Sequence, residues 1–290
     1  MDQNSGKRVE DAGSGRGVRL REVAPGSWAV VDEETGTAVG GQAGRLELLT
    51  RWEDVAAQRA AIAAGYTREG VRRGDPELLV WSRLPGDPEG PTPRLLPDLP
   101  EGVLTDGVVT LRPLGASDID FYTELHGIPD VVATSVPAEV KSAGEIHRRC
   151  TRSAAHWLAG QRADMVILDA ATGERAGQID LYYQEPPTGQ AMIGYSMLPS
   201  YRRRGFTSRA AQLVALWAFA ETGIARLIAG TLPTNVGSQR VLEKAGFTRE
   251  AYLRSRLPGP GGTRTDDLQY VLLAEDLLAQ VSGENGTSHA

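Results

Sequence analysis

The sequence predicts an α+β fold, a sheet with helices on its faces, preceded by a smaller α+β module. Three observations carry that expectation. Between residues 108 and 275, strand-like and helix-like patterns follow one another in the order β-α-α-β-β-β-α-β-α-β-β. Residues 45–71 and 226–252 align without a gap at an offset of 181, with 11 identities in 27 positions, so they look like divergent copies of one unit. Between the copies, residues 86–102 (GDPEGPTPRLLPDLPEG) hold five prolines in 17 positions, which no helix interior or central strand accommodates. The chain is therefore expected to divide into a disordered polar tail (1–17), a small module (18–85), an extended, stiff linker (86–102), a large domain (103–281) and a loose tail (282–290).

The large domain opens with a strand, VVTLRPL (108–114). Ser117 then offers an N-cap to a helix with acids in its first turn that stops at Gly127. Residues 142–161 read as a second helix. MVILDAATGERAGQIDLYY (165–183) is two strands joined by a turn at Thr172 and Gly173, and QAMIGYSMLP (190–199) is another strand. TSRAAQLVALWAFAETG (207–223) has apolar residues at 210, 213, 214, 217 and 220, the stripe of an amphipathic helix. RLIAGTL (226–232) is a strand, and Asn235 and Gly246 bracket a helix. FTREAYLRS (247–255) and DLQYVLLAE (267–275) close the sheet. VRLREV and WAVVDEETGTAVGGQ, before the first repeat copy, offer further strands.

Composition removes several classes. With 41% hydrophobic and 23% charged residues the chain matches ordinary globular proteins, not pervasively disordered, collagenous or disulfide-stapled ones. The longest apolar run, LVALWAFA (213–220), falls well short of the ~18 residues of a membrane span and is followed by Glu221. The polar, acid-containing N-terminal segment does not read as a signal or transit peptide. The single cysteine, Cys150, cannot form an intramolecular disulfide; this fits a reducing, cytoplasmic setting and excludes a cysteine-rich zinc site, so no metal is expected. A net charge of −6 counts against nucleic acid as a partner. Lysines occur only at 7, 141 and 244, which leaves phosphate contacts mainly to arginine or backbone N–H groups. Oligomeric state is not legible.

The segment with the sharpest chemistry is MLPSYRRRGFTSRAA (197–211). Proline ends a strand, and Arg202, Arg203, Arg204, Gly205, Phe206 and Thr207 turn directly into a helix. Glycine permits a tight turn and close approach of a ligand. The first N–H groups of the helix lack intrahelical partners and point outward together at the positive end of its dipole, a site suited to a diphosphate. Three arginines add formal charge and forked donors. A solvated basic loop would have the same composition.

Here the sequence resembles the GNAT superfamily of N-acetyltransferases, over about residues 108–276. The family's acyl-CoA signature is Arg/Gln-x-x-Gly-x-Gly/Ala, and Arg202, Gly205 and Thr207 stand at its fixed positions. Thr207 departs from the usual small residue; its β-branch crowds the diphosphate slightly or its hydroxyl adds a donor. IGYSMLPSYRRRG resembles the IGYWL-x-P-x-x-x-G-x-G pattern of the branch that acetylates ribosomal-protein N-termini and many small amines. NVGSQRVLEKAGF (235–247) resembles that branch's N-x-x-S-x-x-(V/A)-x-E-K-x-G-F. The resemblance implies a mixed, mostly antiparallel sheet with helices on both faces, acetyl-CoA as co-substrate, and an amine attacking the thioester directly. It implies main-chain contacts from Met197 and Leu198 to the pantetheine, Asn235 along the cofactor, and Ser238 near the sulfur as a proton donor to the departing thiolate. Asn235 is also a natural N-cap, and Ser238 is comfortable in a first turn.

The base is left open. Members of this branch often carry Glu just before IGY, where this chain has Met192; Asp180, Glu185 and Tyr195 are the candidates. His126, His147 and His156 lack metal-ligand spacing, and Cys150 reads as a helix-face residue. In the N-terminal copy Asp54 replaces Asn235, Ala57 replaces Ser238 and no Arg-x-x-Gly turn precedes a helix, so that module resembles a degraded, partial copy which docks on the large domain. Two functions remain in view: an acetyl-CoA-dependent N-acetyltransferase, and a non-catalytic CoA-binding or protein-interaction module.

Overall fold

The computed structural model describes residues 45–277 and, before them, the backbone of β1 (Arg8–Val9), β2 (Val18–Ala24) and β3 (Ser27–Asp32), which pair in that order as a small antiparallel sheet. Arg8 and Val9, within the expected disordered tail, thus belong to a strand; the rest of both tails lies outside the described residues. The chain separates into two compact units, 1–93 and 94–290.

In the first unit, β4 (Leu46–Arg51), α1 (Val55–Ala63), β5 (Thr67–Arg72) and β6 (Leu78–Arg83) form a three-stranded sheet of order β4-β6-β5. The second unit ends with the same arrangement. There β12 (Arg226–Thr231), α6 (Val236–Lys244), β13 (Thr248–Pro258) and β14 (Arg264–Leu273) pair in the order β13-β14-β12. Helices α1 and α6 are offset by the 181 residues of the sequence repeat. Their internal bonds match too. Asp54 Oδ1 accepts from the Ala57 N–H at 2.9 Å as Asn235 Oδ1 accepts from the Ser238 N–H at 3.1 Å. Gln58 Nε2 donates to the Arg51 and Trp52 carbonyls, and Gln239 Nε2 donates to those of Leu232 and Pro233.

The second unit continues from β7 (Leu104–Thr105), β8 (Val109–Pro113), α2 (Ile119–Gly127), α3 (Pro129–Thr134), α4 (Ala143–Leu158), β9 (Arg162–Asp169), β10 (Arg175–Glu185) and β11 (Gln190–Met197) to α5 (Phe206–Glu221). Its eight-stranded sheet has the order β13-β14-β12-β11-β10-β9-β8-β7; every pair is antiparallel except β11 with β12. Residues of α5, among them Ala211, Val214 and Trp217, pack on one face against Ile179, Leu181 and Ile193. Phe121, Tyr122 and Leu125 of α2 and Ile146 and Cys150 of α4 cover the other around Val166. The fold is the mixed, mostly antiparallel sheet with helices on both faces that the resemblance implied.

Two local expectations change. Ser117 does not cap α2. It lies in a short 3-10 turn, 116–118, where the buried Asp118 carboxylate accepts from the Gly115 N–H at 3.0 Å and from Arg112 and Arg175 at 2.6 and 2.8 Å. Burial alone would raise the Asp118 pKa, but those donors hold it below the usual range. Segment 86–102 is not a free spacer. Thr92 bonds back to Ile62 and Tyr66 within the first unit, at 2.9 and 2.8 Å. Leu96 and Leu99 are buried in the core of the second unit, and Trp157 Nε1 donates to the Pro97 carbonyl at 2.9 Å. Proline excludes helix and ladder here, but it does not exclude burial of the leucines between the prolines. Leu96→Ala should therefore cost about 2–5 kcal/mol. Chemical denaturation should show that loss, and a fragment beginning at residue 103 should be less stable than one beginning at residue 94.

Candidate functional site

The site begins where β11 and β12 part. They pair only through Gln190–Arg226, Ala191–Leu227 and Met192–Ile228. The Leu198 N–H donates to the Ala176 carbonyl at 2.9 Å. By the alternation of an antiparallel ladder, Gly194 and Ser196 then bond to β10, and the main-chain groups of Tyr195 and Met197 face the gap. Met197 therefore stands where a main-chain contact to a threaded ligand is available, although its carbonyl accepts from Arg202 Nε at 3.1 Å. Leu198 does not: its N–H bonds Ala176 and its carbonyl accepts from the Tyr201 N–H at 3.0 Å. The expected Leu198 contact is set aside, because both of its main-chain groups are used in closing the strand.

The turn into α5 is held in an uncommon conformation. Arg203 has φ +61° and Gly205 φ +81°, both left-handed. The first intrahelical bond is Arg209 N–H to the Gly205 carbonyl at 3.2 Å, which leaves the N–H groups of Phe206, Thr207 and Ser208 without partners inside the helix. A Cβ at Gly205 would meet only Lys244 Nζ, at 3.8 Å. These N–H groups open on a cavity of about 910 Å³. Tyr195, Ser196 and Met197, the turn, α6 from Asn235 to Lys244, and Asp130, Val131 and Thr134 of α3 line it.

Arg202 and Arg203 line the cavity. Arg204 does not: it turns away, stacks over the Tyr201 and Phe206 rings at 4.9 and 4.7 Å and pairs with Asp169 at 3.2 Å. The left-handed backbone at Arg203 and Gly205 sends alternate side chains of the arginine run in different directions. Two cations that sequence reasoning missed are in the cavity instead, Arg240 and Lys244, one turn apart on α6. Their i, i+4 spacing was the available signal.

The cavity contains one acid close to its cations. Asp130 pairs with Arg202 and is thereby held below the usual carboxylate range. It competes with any anion for that arginine. Asp130→Asn should strengthen CoA binding about two- to fivefold at low salt, an effect that calorimetry should see fade at high salt.

At the far end of the cavity the Tyr195 hydroxyl and Ser238 Oγ are 2.9 Å apart, and the Ser238 carbonyl is also within reach of the Tyr195 hydroxyl at 3.3 Å. Burial raises the Tyr195 pKa well above that of a free tyrosine, so the phenol keeps its proton. Two hydroxyls in contact, one anchored on a strand and the other in the first turn of a helix, can pass a proton to a base that appears between them. Asn235 caps α6 and lines the cavity as well, so both roles foreseen for it are geometrically open.

Glu185 lies exposed at the end of β10, within reach of Thr188 and Gln190, and does not line the cavity. Burial pushes the Cys150 thiol up to about 12 and pulls His126 down to about 4, which leaves the first inert and the second neutral.

A family profile described as "Acetyltransferase (GNAT) domain" matches residues 109–248, which span β8 to the start of β13 and include every element of the cavity. The chain carries a GNAT acetyltransferase domain. Among relatives, the uncharacterized N-acetyltransferase YnaD of Bacillus subtilis is 34% identical over 84 residues, 29% of this chain and 49% of that protein. The probable N-acetyltransferase YjcK of the same organism is 42% identical over 67 residues, 23% of this chain and 37% of that one. These matches thus span half or less of the curated relatives. Among solved structures the GNAT fold recurs in the ribosomal L7/L12 α-N-protein acetyltransferase RimL in complex with coenzyme A. That structure has a TM-score of 0.54 and 19% identity, and the match covers 60% of this chain and 99% of that one. It recurs also in Mycobacterium smegmatis RimJ in complex with a CoA disulfide, with a TM-score of 0.54, 20% identity and coverage of 63% and 92%. Among the described residues no helix is long and apolar enough to cross a membrane.

Proposed function

We propose that this protein is an acetyl-CoA-dependent N-acetyltransferase that moves an acetyl group to a primary amine, a protein N-terminus or a small-molecule amine, by direct attack on the thioester. The observation that carries the reading is the single cavity joining the Gly205 turn to the Tyr195–Ser238 pair through the gap between β11 and β12. At one end the N–H groups of Phe206, Thr207 and Ser208, with Arg202, Arg203 and Lys244, suit a diphosphate. The parted strand offers the main chain of Tyr195 and Met197 to a pantetheine arm. Tyr195 and Ser238 would stand at the sulfur, where Ser238 hands a proton to the leaving thiolate and Tyr195 replaces it. Strand N–H groups at the gap would hold the tetrahedral oxyanion.

A cytoplasmic location and independence from metal belong to the same proposal. The first unit takes no part in cofactor binding under this reading: Ala57 stands where the second unit has Ser238, and Ala63 where it has Lys244. The alternative, a CoA-binding module without catalysis, draws on Met192 in place of a carboxylate. Thiol release from acetyl-CoA across a panel of primary amines separates the two. Mass detection of acetylated products after incubation with a cell extract would name the acceptor. Tight CoA binding with no thiol release on any amine would select the second reading.

A further inference from the structure

The described residues hold a buried polar cluster on the sheet face opposite α5. Gln178, Asp180 and Tyr182 of β10 point away from Ile179, Leu181 and Tyr183, which pack with α5. Asp180 Oδ2 lies 3.0 Å from Arg149 Nη2 and accepts from Gln178 Nε2 at 3.3 Å. Asp180 Oδ1 is buried and has no hydrogen-bond partner, and the same is true of Gln178 Oε1 beside it. Buried acceptors left in this state cost free energy, so they call for an occupant or a use.

The register places them. Asp180 lies directly across from Gly194, and Gln178 across from Ser196. Ser196 lines the cofactor cavity. At Gly194 a Cβ would meet nothing within 4 Å, so open space stands over that residue on the Asp180 face. In a hydrogen-bonded antiparallel pair the two Cα atoms are only about 5.5 Å apart, within the reach of an aspartate side chain. Met192, two residues back on the same face, has no group to accept a proton.

We propose that the acceptor amine enters over Gly194, on the α2–α4 face, and that Asp180 is the base that takes its proton. The inference rests on the acetyltransferase reading and adds the missing base to it. Asp180 takes one proton from the incoming ammonium. The neutral nitrogen attacks the thioester carbon, the C–N bond forms and the C–S bond breaks. The departing thiolate takes a proton from Ser238, which is restored through Tyr195 by the second proton leaving the new amide nitrogen. Asp180 returns its proton to water, so the cycle releases one proton.

Burial pushes the Asp180 carboxyl up to about 7, aided by Asp164 and opposed by Arg149 and Arg162. The other groups facing it are Tyr182 on its own strand, Tyr122 on α2 and Lys141 ahead of α4, while His126 of α2 stands against the neighbouring Gln178. A carboxylate poised there is matched to proton transfer at neutral pH. The active form is the ionised one, so kcat/KM should rise with pH through about 7 and then level.

The test follows thiol release from acetyl-CoA by the full chain, with spermidine and with a peptide bearing a free N-terminal alanine, from about pH 5 to 9. Asp180→Asn should lose about 10²–10⁴-fold in kcat at neutral pH, lose the limb near 7, and recover as the amine itself deprotonates. CoA affinity by calorimetry should be unchanged, which reports an intact fold. Asp164→Asn, which also removes a partner of Arg149, should keep a limb but move it to lower pH, because the Asp164 charge helps to raise the Asp180 carboxyl. Asp180→Asn with wild-type turnover and the same limb would overturn the proposal, as would identical profiles for the two variants. Should the wild type turn over neither probe, the acetyltransferase reading is what suffers, and carbon-13 carboxyl titration then decides on Asp180. A resonance lost in Asp180→Asn that titrates near neutral pH supports the assignment, and one in the ordinary carboxylate range overturns it.

Discussion

Gly205→Glu should lower CoA affinity by at least about 10²-fold in calorimetry, a loss of about 2.7 kcal/mol. Three effects act together. Gly205 has φ +81°, a conformation that costs a side-chain-bearing residue roughly 1–2 kcal/mol. The new side chain projects into the space where the diphosphate would meet the free N–H groups of α5. Its carboxylate would also find Lys244 Nζ, 3.8 Å from the position of the added Cβ, and occupy a cation meant for phosphate. Gly205→Ala carries the strain without the charge and should lose much less. The far-ultraviolet spectrum should not change, since Gly205 lies at a helix start and its Cβ meets no backbone atom. Unchanged affinity for the glutamate variant would move the diphosphate elsewhere.

Ser238→Ala should lower kcat by about 10²–10⁴-fold and leave acetyl-CoA affinity within a few-fold of wild type. A proton delivered to a departing thiolate matters in the transition state and little in the ground state. The substitution is structurally mild for two reasons visible in the hydrogen bonds. Asn235 caps the Ser238 N–H, not its hydroxyl, so the helix start survives. Tyr195 loses Ser238 Oγ but keeps the Ser238 carbonyl, so its buried hydroxyl is not orphaned. Stopped-flow and steady-state thiol release resolve the two parameters. A wild-type kcat would reduce Ser238 to a first-turn residue.

Much of this was legible in the sequence because it is local. The Gly205 turn, the Asn235 cap and the run of strands all follow from residues a few positions apart. Side-chain direction was not legible. Three consecutive arginines look alike on paper, yet left-handed backbone at two nearby positions sends Arg204 to Asp169 and leaves Arg202 and Arg203 at the cavity. Nor does periodicity reveal that Tyr195 and Ser238, 43 residues apart, share a hydrogen bond, since it depends on how far β11 and β12 diverge. Helix α3 escaped notice because six residues that open with a proline carry too little pattern, and it supplies Asp130. Leu96 and Leu99 were hidden by the prolines around them.

The strand–helix–strand–strand unit that occurs twice gives the molecule its own reference specimen. Both copies retain the glutamine that ties the helix to the preceding loop, an acceptor at the cap and a left-handed glycine at the helix end, Gly65 and Gly246. Among the α6 residues that line the cavity, Ser238 and Lys244 stand against Ala57 and Ala63, whereas Arg240 stands against Arg59. The shared set builds the unit, and the Ser238 hydroxyl and the Lys244 ammonium distinguish the copy that lines a cavity.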